Sequence, residues 1–352
     1  MTRRRQSDDL AAKVRFLSDP QAYPIAPKHV EARETHMSWV FLTDERVYKL
    51  KKPVKRTFLD FSTVARRKFF CEEELRLNRR LAPETYLQAV PLYRSSSGTF
   101  SLASGGRIVD WLVEMRRLPQ ADMLDERIPD GRVGRGDVER IARLLAGFYA
   151  CREPERACAG AYLRHLVEEH RLNRSILARS DPALAEMAAG PLDAVERLLA
   201  RLRPEIFERI AADVVVEGHG DLRPEHVCLS HPPQIIDCLE FNRAMRIIDP
   251  YDEVNYLGME SEMLGAPWIR PMLSAALGKR HGYYPSADLL ALYGAFRALL
   301  RARLCIVHLM EKPVRHPEKW RPLAVRYIEQ AEHELSSRSP EDRKSTRRRE
   351  GV

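Results

Sequence analysis

The spacing of apolar residues divides the chain into a strand-rich first third and a largely helical remainder. Between Val30 and Leu118, short stretches alternate polar and apolar positions, which is typical of half-buried strands. One helix is predicted over residues 62–81, where apolar positions take helical spacing and stop before Pro83. The predicted strands of this region are 39–42, 46–51, 88–93, 99–102 and 107–115.

Helical patterns dominate after Pro119. Helices are predicted over 137–149, 159–178, 182–202 and 204–212, and again from Pro250 to about Leu335. A strand and turn segment over 214–241 interrupts them. The change in composition predicts an α+β protein of two lobes: a small antiparallel-sheet lobe with one helix, and a larger, mostly helical lobe.

The domain limits follow from the same pattern. We predict an N-terminal arm over 1–28, loose except for a short amphipathic helix over 10–17. The first lobe is predicted over 29–118 and the helical lobe over 119–335. The polar, charged stretch 336–352 is predicted to be a disordered basic tail.

Composition narrows the class of protein. The chain has 352 residues, of which 44% are hydrophobic and 31% are charged, as expected for a globular protein. No stretch approaches the ~20 apolar residues of a membrane span. The N-terminus lacks the apolar segment of a secretory signal, and we therefore expect a cytoplasmic protein. The six cysteines show no C-x-x-C spacing, so neither a zinc site nor a redox motif is predicted.

Half of the net charge of +8 lies at the two ends. Residues 336–352 hold six basic against three acidic side chains, and residues 1–9 hold three against two, which together make half of the excess. This distribution argues against a basic nucleic-acid-binding body, although basic tails can contact acidic partners weakly. The pattern does not indicate an oligomeric state.

Two carboxylates 16 positions apart give the chain its clearest chemical signal. The apolar stretch 214–216 predicts a strand, and the following His219-Gly220-Asp221 predicts a turn that carries an aspartate. A second aspartate, Asp237, follows the apolar Ile235-Ile236. Two such carboxylates at the ends of short strands suit metal-assisted phosphoryl transfer, in which one orients the attacking hydroxyl and the other holds Mg²⁺.

These residues resemble the catalytic segment of the aminoglycoside phosphotransferase and choline kinase-like families, which share the protein-kinase-like fold. Their loop has His-Gly-Asp, as at 219–221, and their next strand ends in a metal-binding aspartate, as at Asp237. Their Asp-Pro-x-x-Asp segment is similar to 249–252. The resemblance extends over about 30–309 and is closest to an uncharacterised bacterial branch, through 35–42 and 71–78.

The resemblance implies roles for the loop residues. Asp221 is the expected catalytic base or orienter, with His219 holding the loop, and Asp252 is expected to brace it. Asp237 is the expected metal ligand. His226 stands where the family has an asparagine, and an imidazole suits Mn²⁺ better than Mg²⁺, so His226 is a candidate ligand that departs from the pattern. Arg223 stands where many relatives have a second histidine, and it is a candidate for binding phosphate or an acidic substrate.

A kinase of this fold also needs a strand lysine and a helix glutamate. Lys49 and Lys51 share one face of strand 46–51, because side chains alternate along a strand. Lys49 is preferred and Lys51 stays open. Glu74 is the expected partner, with Glu73 as the alternative.

The remaining nucleotide contacts are expected in two places. No G-x-G-x-x-G precedes the lysine strand, and the segment 34–38 takes its place. Backbone N–H groups there, with the hydroxyls of Thr35 and Ser38, are expected to cover the phosphates. The connection between the lobes, with Met115, Arg116 and Leu118, is expected to contact adenine.

The sequence therefore predicts an ATP-dependent phosphotransferase that moves the γ-phosphate to a hydroxyl of an unidentified small molecule. ATP and Mg²⁺, or Mn²⁺, are the expected cofactors. Arginines interleave with the glutamates of the helical lobe, so a polycationic aminoglycoside is not predicted as the acceptor. One alternative is a pseudokinase that binds nucleotide or acts as a scaffold without transfer. Another is a binder of protein or nucleic acid through the basic tails.

Overall fold

The computed structural model describes residues 3–56, 59–151, 159–310, 314 and 316–336. The described chain forms two compact units, and neither is a continuous stretch. Unit 1 comprises Met1–Arg140 and Pro224–Arg243, and unit 2 comprises Ile141–Arg223 and Ala244–Val352. The units are defined by packing and the predicted lobes by composition, so their limits are not directly comparable. The tail predicted over 336–352 lies outside the described residues beyond Ser336.

Unit 1 is built on a six-stranded antiparallel sheet in the order β1-β2-β3-β8-β6-β7. The five predicted strands correspond to β2, β3, β6, β7 and β8, and β1 is an addition that pairs with β2. Alternation along β3 buries Tyr48 and Leu50 against Phe41 of β2 and Leu112 of β8, which form part of one apolar core. The strands are β1 (Glu31–Glu34), β2 (Ser38–Leu42), β3 (Arg46–Lys51), β6 (Tyr86–Arg94), β7 (Phe100–Ser101) and β8 (Arg107–Arg116), with a small hairpin of β4 (Lys55–Arg56) and β5 (Leu59–Asp60).

Helix α2 (Val64–Asn78) packs on this sheet and is shorter than the predicted 62–81. Thr63 is extended, and its side chain accepts a hydrogen bond from the N–H of Arg66, so Thr63 caps the helix and the helix begins at Val64. The helix buries Cys71 and Leu75 against β6 and β8. It also buries the carboxylate of Glu74, whose partners are described below.

The N-terminal segment is more ordered than the predicted loose arm. Helix α1 (Arg3–Leu17) begins seven residues before the expected helix, and Leu17 lies fully buried in the sheet core. The ammonium of Lys13 donates to Asp110 Oδ2 on β8 at 2.9 Å. Arg67 of α2 binds the same carboxylate through Nε at 2.5 Å and Nη2 at 3.1 Å. One buried aspartate thus joins α1, α2 and the sheet.

Unit 2 is helical, with its longest helix at the centre of the core. The apolar residues of α10 pack against α5, α6 and α11, which gives a single large cluster. Two short strands, β9 (Val216–Glu217) and β12 (Ile247–Ile248), pair beside it. The helices are α5 (Ala159–Leu177), α6 (Pro182–Arg201), α7 (Arg203–Ala211), α8 (Pro250–Met263), α9 (Ile269–His281), α10 (Ala287–Leu309) and α11 (Pro317–Ser336).

Unit 1 also contains a short helix and another small hairpin, and one helix is shared by the two units. Helix α3 (Leu124–Arg127) belongs to unit 1, and α4 (Arg135–Ala150) runs from unit 1 into unit 2. The strands β10 (Val227–Cys228) and β11 (Gln234–Ile235) form a hairpin in unit 1. Among the described residues, no helix is both long and apolar enough to cross a membrane.

Removing the carboxylate that joins α1, α2 and β8 should destabilise unit 1 strongly. Asp110→Ala would leave the buried cation of Arg67 without its anion and would leave Lys13 with Asp9 alone. The loss of one partner of a buried ion pair costs about 3–5 kcal/mol. Urea unfolding followed by circular dichroism measures the change. The control is Asp130→Ala, which removes an aspartate whose side chain is 58% exposed. Equal losses of stability in the two variants would contradict the prediction.

Acid should weaken unit 2 through His170 on α5. This histidine is buried, and burial, with Arg174 nearby, lowers its pKa from 6.5 to about 4. The unfolded chain therefore binds the proton at a higher pH than the folded one, and stability falls as the pH drops from about 6.5 towards 4.

The fall in melting temperature between pH 7 and pH 5 should therefore be smaller in His170→Gln than in the wild type. Differential scanning fluorimetry at both pH values measures it. His29→Gln, which replaces an exposed histidine, should behave as the wild type. Parallel falls in all three proteins would show that His170 does not contribute.

Candidate active site

Lys49 lies at the centre of the unit 1 sheet, between two carboxylates. It pairs in register with Val40 of β2 and Val113 of β8. Its ammonium donates to Glu74 Oε1 at 2.9 Å and to Asp237 Oδ1 at 2.8 Å. Burial alone would lower the pKa of Lys49, but the charges of Asp237 and Glu74 raise it well above its ordinary value. The lysine is held as a cation.

Lys51, two residues further along the same face, binds the other oxygen of Glu74. Its ammonium lies 2.5 Å from Glu74 Oε2 and also contacts Glu240 Oε1. The side chain of Lys51 is 0% exposed, whereas that of Lys49 is 16% exposed. Burial would raise the pKa of Glu74, but Lys49 and Lys51 together lower it. Of the two candidate lysines, only Lys49 is open to a ligand.

Asp237 follows β11 in a left-handed backbone conformation, with φ of 62°. Its N–H donates to the hydroxyl of Tyr86 at 3.0 Å, and the next N–H, of Cys238, donates to Asn78 Oδ1 at 2.8 Å. These bonds fix the end of the strand to β6 and α2. The side chain of Asp237 is 47% exposed, so the carboxylate is accessible.

His226 is the second predicted metal ligand, and its Nε2 lies 3.7 Å from Asp237 Oδ2. The N–H of Ile236 donates to the carbonyl of His226 at 2.9 Å, which holds the two segments side by side. In the described part of the chain, no three or more His, Cys, Asp or Glu side chains gather as a metal site. The carboxylate of Asp237 would suit Mg²⁺ with phosphates and water as the remaining ligands, whereas the imidazole of His226 suits Mn²⁺ better.

The His-Gly-Asp loop belongs to unit 2, where Glu253 of α8 holds its backbone. Glu253 Oε2 accepts the N–H of His219 at 3.0 Å and the hydroxyl of Tyr149 at 2.6 Å, while Oε1 accepts the N–H of Gly220. Gly220 has φ of 92°, a conformation that favours glycine. At Gly218, a Cβ atom would come within 2.6 Å of Glu253 Oε2. The two glycines thus let the loop approach the glutamate closely.

Asp221 is oriented by three neighbours within unit 2. Its N–H donates to His219 Nδ1 at 3.2 Å. Its Oδ1 accepts Arg223 Nε at 2.9 Å and the hydroxyl of Tyr256 at 3.4 Å. The side chain of Asp221 is 26% exposed, so the carboxylate is both held and accessible.

Asp252 was expected to brace this loop, and that prediction is wrong. Asp252 pairs instead with Arg297, through two bonds of 2.9 Å. Its neighbour Glu253 makes the contacts with the loop backbone. Because 252 and 253 lie on different faces of α8, only the helix orientation decides between them. Asp249 caps α8 and pairs with Arg209, which is a structural role.

The segment expected to cover the phosphates is the turn between β1 and β2. Thr35 Oγ1 donates to the carbonyl of Ser38 and accepts its N–H, both at 3.0 Å. Ser38 is 2% exposed. The two hydroxyl-bearing residues therefore close the turn on each other, and the contact of this turn with phosphates stays a prediction.

The expected adenine contacts lie at the end of β8 and beyond it. Met115 is buried against Tyr86 and Val47. Arg116 is exposed, and its N–H donates to the carbonyl of Thr85 at 2.8 Å. Leu118 follows the strand and is half-buried. Their part in nucleotide binding stays a prediction.

No protein-family model matches the chain. Uncharacterised proteins of Mycobacterium tuberculosis and Mycobacterium bovis are 30% identical to it over 310 residues. These matches cover 83% of this chain but 58% of each relative, so the chain spans less than two thirds of their length.

Two solved structures are similar over nearly the whole chain. A choline/ethanolamine kinase family protein from Mesorhizobium loti gives a TM-score of 0.51 at 14% identity and covers 96% of both chains. The GDP and kanamycin complex of APH(2")-IIia gives 0.51 at 15% identity, over 92% of this chain and 98% of that one. The predicted resemblance is confirmed in the fold: the chain has the protein-kinase-like fold of the choline/ethanolamine kinase and aminoglycoside phosphotransferase proteins.

Proposed function

We propose that this protein is an ATP-dependent phosphotransferase that acts on a hydroxyl group of a small molecule. The observation that carries the proposal is the ammonium of Lys49, held between the helix carboxylate of Glu74 and the exposed carboxylate of Asp237. A cation in this setting suits the phosphates of a nucleotide. The shared fold supports the same reading, since one similar structure is of a kinase family protein and another contains GDP.

In unit 1, Lys49 would contact the phosphates while Glu74 keeps it in place. Asp237 would hold Mg²⁺, and His226 would join it where the ion is Mn²⁺, which accepts imidazole more readily. The bound ion would offset negative charge on the phosphates. The backbone of the turn from Thr35 to Ser38 would meet the phosphates, and Met115, Arg116 and Leu118 would adjoin adenine.

In unit 2, Asp221 would accept the proton of the acceptor hydroxyl and orient its oxygen. His219 and Glu253 fix the loop that carries it. Arg223 is hydrogen-bonded to Asp221 and would offset negative charge as the phosphoryl group moves. The acceptor is proposed only as a small molecule with a hydroxyl group.

Nucleotide should raise the melting temperature, and Asp237→Asn should remove the part of that rise that depends on metal. Ligand binding to the folded state raises the midpoint by mass action. Asparagine tolerates the left-handed backbone at this position, so the substitution removes the charge without straining the chain. Thermal shift with ATP alone, with Mg²⁺ and with Mn²⁺ measures the effect.

Asp213→Asn is the matched control, because Asp213 also has a left-handed backbone, with φ of 61°. It should keep the full shift. A metal-dependent shift that survives in Asp237→Asn would exclude Asp237 as the ligand. No shift with any nucleotide in the wild type would remove the proposed function itself.

Asp221→Asn should keep nucleotide binding and lose turnover. An amide cannot accept the hydroxyl proton, and the loss of a general base costs about 10²–10⁴-fold in rate. Release of ADP, measured with water and with a panel of small alcohols as acceptors, gives the rate. The control Asp193→Asn changes an aspartate that is 54% exposed on α6. Nucleotide binding by the wild type without any release of ADP would favour the pseudokinase alternative.

A further inference from the structure

Lys51 is a charged side chain that cannot reach a ligand directly. It is 0% exposed, and its ammonium lies 5.0 Å from the centre of the Phe61 ring. Its ionic partners are Glu74 and Glu240, both buried. Burying a lysine and two carboxylates removes three charges from water, and apolar residues of similar size are often at least as stable. Stability alone therefore gives a weak reason for this cluster.

The cluster does determine the position of Glu74. A carboxylate has two oxygens, and here each binds a different lysine: Oε1 binds Lys49 and Oε2 binds Lys51. With both oxygens engaged, the carboxylate cannot rotate away from Lys49. Lys51 also binds Glu240, which lies three residues after Asp237 in the sequence. One buried ammonium thus ties the lysine strand to helix α2 and to the segment that carries the exposed aspartate.

We propose that Lys51 is a positioning residue for nucleotide binding, which acts through Glu74 to hold Lys49 towards the phosphates. The inference rests on the proposed function. It assigns Lys49 the contact with phosphate and Lys51 none. The competing view is that Lys51 only neutralises the buried carboxylate of Glu240.

Lys51→Met combined with Glu240→Gln separates the two views. The pair of changes removes the lysine and the charge that it would otherwise leave uncompensated, so a purely neutralising lysine is no longer needed. Isothermal titration gives the Kd of ATP with Mg²⁺ and the Kd of adenosine, and circular dichroism gives the melting temperature. Lys49→Met sets the size of the complete loss of the phosphate contact.

The folded double variant should bind ATP about tenfold more weakly and adenosine as the wild type does, since only the charge-assisted contact of Lys49 with the phosphates is weakened. An unchanged Kd for ATP would overturn the proposal. Equal weakening of ATP and adenosine would also overturn it, because that result indicates a general distortion of unit 1.

A double-mutant cycle tests whether the effect passes through Glu74. In a Glu74→Gln background, the change at Lys51 should no longer weaken ATP binding, because its target is already removed. Additive losses would mean that Lys51 acts by another route, and the proposal would be wrong.

If the methionine variant does not fold, Lys51→Gln with Glu240→Gln replaces it. A neutral amide still donates to Glu74, so the loss of ATP affinity should keep its sign and be smaller. An ATP affinity equal to that of the wild type would again overturn the proposal. A wild type that binds no nucleotide would defeat the proposed function and this inference with it. Normal ATP binding by the wild type and by the double variant would defeat the inference alone.

Discussion

The pairing of the Glu74 carboxylate with two lysines is the interaction on which the arrangement of charged residues in unit 1 depends. This carboxylate lies fully buried and takes one lysine on each oxygen. Those lysines in turn hold Asp237 and Glu240. A buried carboxylate is costly unless its charge is matched and its lone pairs are filled. The central strand, helix α2 and the segment after β11 are thus joined by charge as well as by apolar contact.

Local patterns were sufficient for most of the fold. Alternation over 46–51 predicted a strand with Lys49 and Lys51 on one face, and the structure shows that strand with both ammonium groups on Glu74. The helices of unit 2 were predictable for the same reason, because each shows its apolar face within its own sequence. The order of strands in the sheet was not, since β8 lies between β3 and β6 through pairings distant in sequence.

The residues that sequence reasoning missed all act at long range. Glu253 holds a loop more than thirty positions before it, and Glu240 binds a lysine 189 positions away. Neither forms a motif with its neighbours, so only the folded chain identifies them. The glycine at 218, directly before the His-Gly-Asp turn, allows a close approach by another group, which the structure shows to be Glu253. The helical start of the N-terminal segment was hidden because its first residues are polar and show no apolar face.

Unit 1 is built from two separate stretches of the chain, and this limits how it can be expressed as a fragment. The segment Pro224–Arg243 supplies Asp237 and Glu240 to a unit that otherwise ends at Arg140. A fragment that stops at Arg140 would keep both lysines, Lys49 and Lys51, but only one of their carboxylate partners, Glu74. Such a fragment would be a poor domain to express by itself. A fusion in which 224–243 is joined to the first 140 residues would restore the missing anions to the same polypeptide.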